Sequence, residues 1–436
     1  MFSRVLRSTV GRRRYEKVLA RAAWYETDVT RAEAERFQLQ RFNAMWSASR
    51  RNVPFYRAWA EEHDLPPRIE TLEELRSFPV LTKQIIQERS HEIFMDQHGE
   101  KIPTAYSTGG TTGTPTRFPR GPGESINSYA NAYVGRSWWG VRPFDSYVHV
   151  WGHSHLFGNT RTAKLKRRAQ DLVANAERVN AYDMSSEAVA SHAQAILNRN
   201  PTSVVGYTSA VFKIARHIED HAMDTSGLTN LRSIIVTAET VTPADVTLIE
   251  RVFGAPVVIE YGAAETGVLA YSRHHSWPLH VFWRSFIISI ENDSSLQITT
   301  LDERIFPLVN YAIGDTAEGE DVEQGNTLSL KRVTGRTKDS VTLSSTDGAL
   351  LTFSAILPVH ILKTIPGVSS VQYRQERPDL LRIYLTASSP LDITSVAKTF
   401  AEHLKKECPN FDPQSAVFEQ VPHAILTRAG KQALFV

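Results

Sequence analysis

The sequence predicts an α/β protein: a large N-terminal domain with doubly wound mixed sheets over residues 1–336, then a small mobile α+β C-terminal domain over residues 337–436. Three observations carry this. Strands and helices alternate from Ser203 to Gly262, and such alternation implies a largely parallel, doubly wound sheet. The residues before about Glu88 read as helical. After about Arg336 the pattern breaks into short strand candidates around two helices, the size and texture of a small second domain.

Each element has its own signal. "AEAERFQLQRFNAMWSA" sets Leu39, Phe42, Met45 and Trp46 at helical spacing. "LPPRIETLEELRSFPVLT" is punctuated by Pro66, Pro67 and Pro79, with Thr71 and Glu74 at capping-box spacing. "SVVGY" (Ser203 to Tyr207) reads as a buried strand and "SAVFKIARHIED" as the amphipathic helix after it. "LRSIIVTAE" is a second strand, "PADVTLIERVFG" a second helix closed by Gly254, and "PVVIEYG" a third strand. "TAE" and "YGAAE" fall at carboxyl ends of these strands, where ligands bind in such sheets. Beyond Arg336, "ALLTF", "SVQYRQ", "LLRIYLTA" and "AVFEQV" read as strands. In "ITSVAKTFAEHLKKE" the residues Val396, Phe400 and Leu404 form one apolar stripe.

Composition excludes several classes. The chain has 436 residues, 42% hydrophobic and 22% charged, with a formal net charge of +2. That is an ordinary soluble globular composition, and it argues against a nucleic-acid-coating surface. The single cysteine, Cys408, rules out a disulfide framework and a cysteine zinc cluster; it fits a reducing, cytoplasmic setting. No apolar run reaches the roughly eighteen residues of a membrane span. "MFSRVLRSTVGRRR" is basic without a long apolar core, so it reads as a frayed basic end and not as a secretory signal.

The most unusual stretch is "AYSTGGTTGTPTRF", Ala105 to Phe118, in which nine of fourteen residues are Ser, Thr or Gly. Such a loop brings N–H and O–H groups close to phosphate oxygens, because glycine admits the backbone. It is not the standard P-loop, since only three residues separate Gly109 from Gly113 and Thr114-Pro115 follows. Further motifs come in order: "TAE" at Thr237 to Glu239, "EYGAAETG" at Glu260 to Gly267, "PLVNYAIGD" at Pro307 to Asp315, "GRTKD" at Gly335 to Asp339, and "RAGK" at Arg428 to Lys431.

This ordered series resembles the adenylate-forming superfamily of acyl-CoA synthetases and adenylation domains. Within it the chain looks most like the phenylacetate–CoA ligase family and its capsular-polysaccharide-biosynthesis branch. "RRNVPFYRAW", "LEELRSFPVLTK" and "GYTSAVFKIA" share that likeness, which runs from about residue 35 to the end. The resemblance implies that a carboxylate attacks the α-phosphorus of ATP, pyrophosphate leaves, and a thiol such as CoA or a phosphopantetheine carrier takes the acyl group. It assigns Ser107, Thr108, Gly109, Gly110, Thr111, Thr112 and Gly113 to the β- and γ-phosphates. It assigns Tyr261 to the adenine, with Thr237, Ala238 and Glu239 along its edge, and Gly262 to the nucleotide site. Asp315 would take the ribose hydroxyls, Arg336 the ribose or phosphate, and Glu265 Mg²⁺. Lys431 would bridge the attacking carboxylate and the α-phosphate, and Lys338 would be the hinge of the small domain.

Some positions depart from the family text. Thr114 stands where many relatives carry Lys or Arg, so a phosphate cation is missing unless Arg117 or Arg120 replaces it. Asn310 and Ala312 each stand where Arg is commoner, and "SVTLSSTDG" after the hinge is unlike the usual glycine-rich stretch. Adenylation is thus better supported than CoA transfer. An amine acceptor, giving an amide, and a non-catalytic nucleotide-binding relative remain open alternatives.

The acid pocket is expected from Tyr133, Trp138, Trp151, His153, Tyr207 and Ala263, with Trp139 and His155 nearby, and it suits a small or aromatic carboxylic acid. His153 and His155 on one strand face would suit zinc, but no cysteine or spaced carboxylate completes a site. "KLKRR" at Lys164 to Arg168 reads as a solvated charge run. The sequence leaves the oligomeric state open, a homodimer included.

Overall fold

The computed structural model describes every residue outside 1–15, 27–28, 97, 99, 101, 103–104, 108–115, 122–123, 152–160, 182–184, 320–325, 337–339, 355, 378, 388, 408 and 427–433. Among the described residues, residues 16–22 are helical, and the further helices are α1 (Arg31–Asn52), α2 (Pro54–Glu62), α3 (Lys83–Glu88), α4 (Ser90–Ile93), α5 (Glu124–Ser137), α6 (Arg161–Ala174), α7 (Ser186–Arg199), α8 (Thr208–Asp220), α9 (Pro243–Phe253), α10 (Ile356–Lys363) and α11 (Ile393–Glu407). The strands are β1 (Ala105–Ser107), β2 (Arg117–Pro119), β3 (Tyr147–Trp151), β4 (Ala176–Asn180), β5 (Ser203–Tyr207), β6 (Ser233–Thr237), β7 (Val257–Ala263), β8 (Gly267–Ser272), β9 (Leu279–Val281), β10 (Phe286–Ile290), β11 (Ser295–Thr300), β12 (Tyr311–Gly319), β13 (Ser329–Arg336), β14 (Ser340–Ser344), β15 (Leu350–Ser354), β16 (Val368–Arg377), β17 (Leu380–Ala387) and β18 (Ala416–Gln420).

Local chemistry explains the boundaries. Thr30 and Glu33 form a capping box at the start of α1, and Thr71 and Glu74 form the one expected before the 3₁₀ turn Leu72–Ser77. Pro243 occupies the first turn of α9 behind the Thr242–Asp245 box. Gly254, at φ +63°, ends that helix in the left-handed region.

The chain divides into two compact units. Among the described residues, one contains Val141–Ile259 and Thr337–Val436; the other contains those up to Gly140 together with Glu260–Arg336. In the first, β4, β3, β5 and β6 lie side by side in parallel, with β7 entering beside β6. Val148, Val150, Val204, Ile234 and Ile235 are buried along these strands. The same unit holds the C-terminal sheet β16-β17-β18 and the hairpin β14-β15. Val341, Tyr373, Ile383, Val396, Phe400 and Leu404 share its core. Lys363 at the end of α10 reaches Asp245 in α9, Nζ to Oδ1 at 2.6 Å, and both side chains are buried. Near the C-terminus, Ile425 donates its N–H to Gln372, while Leu434 and Val436 exchange backbone bonds with Tyr373.

In the second unit the remainder of β7 pairs with β8, and β8, β9, β13, β12, β11 and β10 continue antiparallel. Helix α1 contributes buried Phe42 and Trp46, which meet Tyr56 and Phe78 in an aromatic core. Among the described residues, no helix is long and apolar enough to cross a membrane.

Candidate active site

In the first unit the carboxyl ends of β3, β5 and β6 carry the expected residues. Tyr207 and Thr237 stand opposite each other in the β5/β6 register. The Trp151 ring lies 4.2 Å from that of Tyr207, centroid to centroid, at 38°. Beyond β6, Ala238 adopts φ +66°, an uncommon conformation for a residue with a Cβ and one that concentrates at functional turns. Glu239 Oε2 accepts the N–H of Ser209 at 2.7 Å, setting a carboxylate on the first turn of α8, where the helix dipole favours it.

In the second unit Tyr261 and Asp315 meet: the phenol donates to Oδ2 at 2.8 Å. Asp315 pairs with Arg336 in the β12/β13 register, and of Arg336 only the backbone is described. Gly262 cannot carry a side chain, since a Cβ would lie 2.3 Å from the Gly267 carbonyl oxygen across the β7/β8 pair. Tyr271, opposite Glu260 in that pair, is fully buried, and burial holds its phenol well above the usual value.

Past β7 the chain turns, with the Ala263 N–H donated to Thr266 Oγ1 at 3.2 Å. Glu265 is buried in this turn, 2% exposed. Its Oε1 accepts the Tyr311 phenol at 2.8 Å and lies 3.3 Å from Lys83 Nζ. Sequence reasoning singled out neither Lys83 nor Tyr311. A signal for Lys83 was present: a lysine directly after the N-cap Thr82 opposes the helix dipole, so something else must favour it.

Glu265 suits Mg²⁺ only in a particular way. Among the described residues no group of three or more His, Cys, Asp or Glu side chains converges on a metal position. One carboxylate fits an ion that brings phosphate and water oxygens with it, the usual habit of Mg²⁺, and not a resident ion held by protein ligands alone.

The remaining expected residues have packing partners of their own. Tyr133 is buried against Tyr129, with ring centroids 4.5 Å apart, and Trp138 stacks on Phe282 at 5.7 Å. Asn310, at φ +48°, donates from Nδ2 to the Phe78 carbonyl at 2.6 Å, which explains an asparagine there. Arg117 lies over the Phe94 ring. Ser107 is described by its backbone in β1. Thr108, Gly109, Gly110, Thr111, Thr112, Gly113, His153, His155, Lys338 and Lys431 lie outside the described residues.

No family model matches the chain. Protein CapK of Staphylococcus aureus is 24% identical over 376 residues, covering 84% of this chain and 82% of CapK. A 2-hydroxyisobutyryl-CoA ligase in the postadenylation state, in complex with R3-HIB-AMP, superposes with a TM-score of 0.68 at 18% identity, covering 94% of this chain and 90% of the ligase. The anthranilate CoA ligase AuaEII, in complex with anthranoyl-AMP, gives 0.53 at 13% identity over 76% of this chain and 65% of its own. The chain has the mixed α/β fold of the adenylate-forming ligases.

Proposed function

We propose that this chain is an ATP-dependent, AMP-forming carboxylate ligase of the phenylacetate–CoA ligase type. The Tyr261–Asp315 contact carries the reading: it joins an aromatic ring suited to a base with a carboxylate suited to a ribose diol. In the first half-reaction a substrate carboxylate oxygen bonds to the α-phosphorus of ATP, the bond to the bridging oxygen breaks, and pyrophosphate leaves. In the second, a thiolate adds to the acyl carbon, the bond to the phosphate oxygen breaks, and AMP leaves.

The proposed roles follow from side-chain chemistry. Tyr261 stacks on adenine and Asp315 accepts the ribose hydroxyls. Thr237 to Glu239 line the adenine edge, and the loop from Ser107 to Gly113 donates to the β- and γ-phosphates. Residues 337–436 act as a lid that turns about Lys338 and delivers Lys431, which offsets repulsion between the attacking carboxylate and the α-phosphate. Glu265 would hold Mg²⁺ brought with the nucleotide, and the ion would neutralise phosphate charge; Tyr311 and Lys83 orient this carboxylate. Trp151 and Tyr207 supply an aromatic wall for a small or aromatic acid. The resemblance of the motifs to the capsular-polysaccharide branch, together with the similarity to CapK, supports a place in polysaccharide assembly.

A pyrophosphate-release screen over carboxylic acids tests the reading, followed by product analysis with thiol and amine acceptors. One acid class should drive ATP-dependent release. Absence of release with every acid, in a chain that still binds ATP, would leave the non-catalytic alternative.

A further inference from the structure

The turn that presents Glu265 is held from its main chain as well as its carboxylate. Arg304, on the approach to β12, donates from Nη2 to the Glu265 carbonyl oxygen at 2.5 Å. Its Nε lies 3.6 Å from Oε2 of Glu124, at the start of α5. The other oxygen of Glu124 accepts two backbone N–H groups, from Gly121 at 2.8 Å and from Ile305 at 2.9 Å. Gly121 must be small for this approach, since a Cβ there would lie 2.7 Å from Glu124 Oε1 and 2.9 Å from Ile305 Cγ1. Two carboxylate oxygens thus join the segment after β2, the turn before β12 and, through Arg304, the Glu265 turn.

From this we propose that Glu124 and Arg304 are positioning residues: they fix the Glu265 backbone so that its carboxylate meets a nucleotide-bound divalent cation in one orientation. The inference rests on the ligase reading above. A carbonyl gripped by a guanidinium restrains the turn, and the charged Glu124 keeps that guanidinium in place. Both residues also line a polar cavity with Asn127, Ser128, Asn131 and Asp302. Water entering that cavity can solvate Glu124 when Arg304 is removed, so the fold should survive the change.

The test measures ATP and AMP binding by calorimetry, with and without Mg²⁺, for the wild type, Arg304→Met, Arg304→Lys and Glu124→Gln. The readout is the enhancement of ATP affinity by Mg²⁺. Arg304→Met should reduce that enhancement about tenfold, the usual lower bound for losing an outer partner of a metal ligand. AMP affinity should stay unchanged, Arg304→Lys should recover part of the loss, and Glu124→Gln, which keeps acceptors for Gly121 and Ile305, should lose part of it. A merely structural role would lower the unfolding midpoint and leave the enhancement of the folded protein intact. If Arg304→Met does not fold, Glu124→Gln decides, and a wild-type enhancement in it overturns the proposal. If the wild type itself shows no Mg²⁺-dependent ATP binding, the ligase reading fails and this inference goes with it. A normal wild type beside an unaltered Arg304→Met overturns the inference alone.

Discussion

Glu239 and Glu265 each sit just past the carboxyl end of a strand, yet their surroundings differ. Glu239, in the first unit, sets its carboxylate on the N-terminus of α8. A little further on, Asp245 is fully buried, bonded to Thr242 and to Lys363. Glu265, in the second unit, is met by Tyr311 and by a lysine that is itself 38% exposed. All three tie elements together, but Glu265 does so through a lysine that solvent or a ligand can reach. Identical residue types after a strand therefore predict different losses on mutation.

The sharpest break of this contrast is Lys363→Met. It leaves Asp245 without the cation it meets on residues 337–436, and because a turning lid exchanges that contact it should cost at most about 3–5 kcal/mol of stability in denaturant unfolding. ATP affinity of the folded protein should not move; a large affinity loss with normal stability would erase the contrast.

Lys431→Ala should lower pyrophosphate release by roughly 10²–10³ while ATP binding and unfolding stay unchanged. Transfer from a supplied acyl-adenylate should persist, and equal loss of both half-reactions would remove Lys431 from the adenylation step.

Asp315→Ala should weaken ATP binding by about 1.5–3 kcal/mol per lost charged hydrogen bond. Tyr261→Phe, which deletes only the phenol that Asp315 accepts, should weaken ATP binding less, since the carboxylate stays in place for the ribose hydroxyls. The ranking of the two, read by calorimetry, distinguishes a ribose-binding carboxylate from a strand-end strut.

Glu239→Gln should have the smallest effect. The amide oxygen still accepts from Ser209, so only part of the roughly 0.5–2 kcal/mol of a helix cap is lost. An effect on ATP affinity larger than that on the unfolding midpoint would move Glu239 into the same class as Glu265.

Much of this was legible in the chain itself. Apolar periodicity and end signals located α9 between Pro243 and Gly254, and "SVVGY" as β5, because a buried strand and a capped helix are written in adjacent residues. The Ser203-to-Gly262 alternation implied the parallel pairing of β5 with β6, while β3 and β4 beside them were not read from the sequence. Hydrophobic pattern alone left the antiparallel run β8 to β13 unassigned, since pairings such as Ser329 with His280 join residues far apart in sequence. Partner choice was equally hidden. Lys83 and Glu265 come from distant parts of the chain, and no spacing rule links them. Arg304 bonds to a carbonyl, which every residue possesses, so nothing in the sequence marks Glu265 as its target. Residue types and local periodicity determined which elements form and which chemistry is on offer. Only the tertiary structure decided which carboxylate braces a helix and which faces a lysine, because that depends on long-range contacts between side chains that local sequence does not encode.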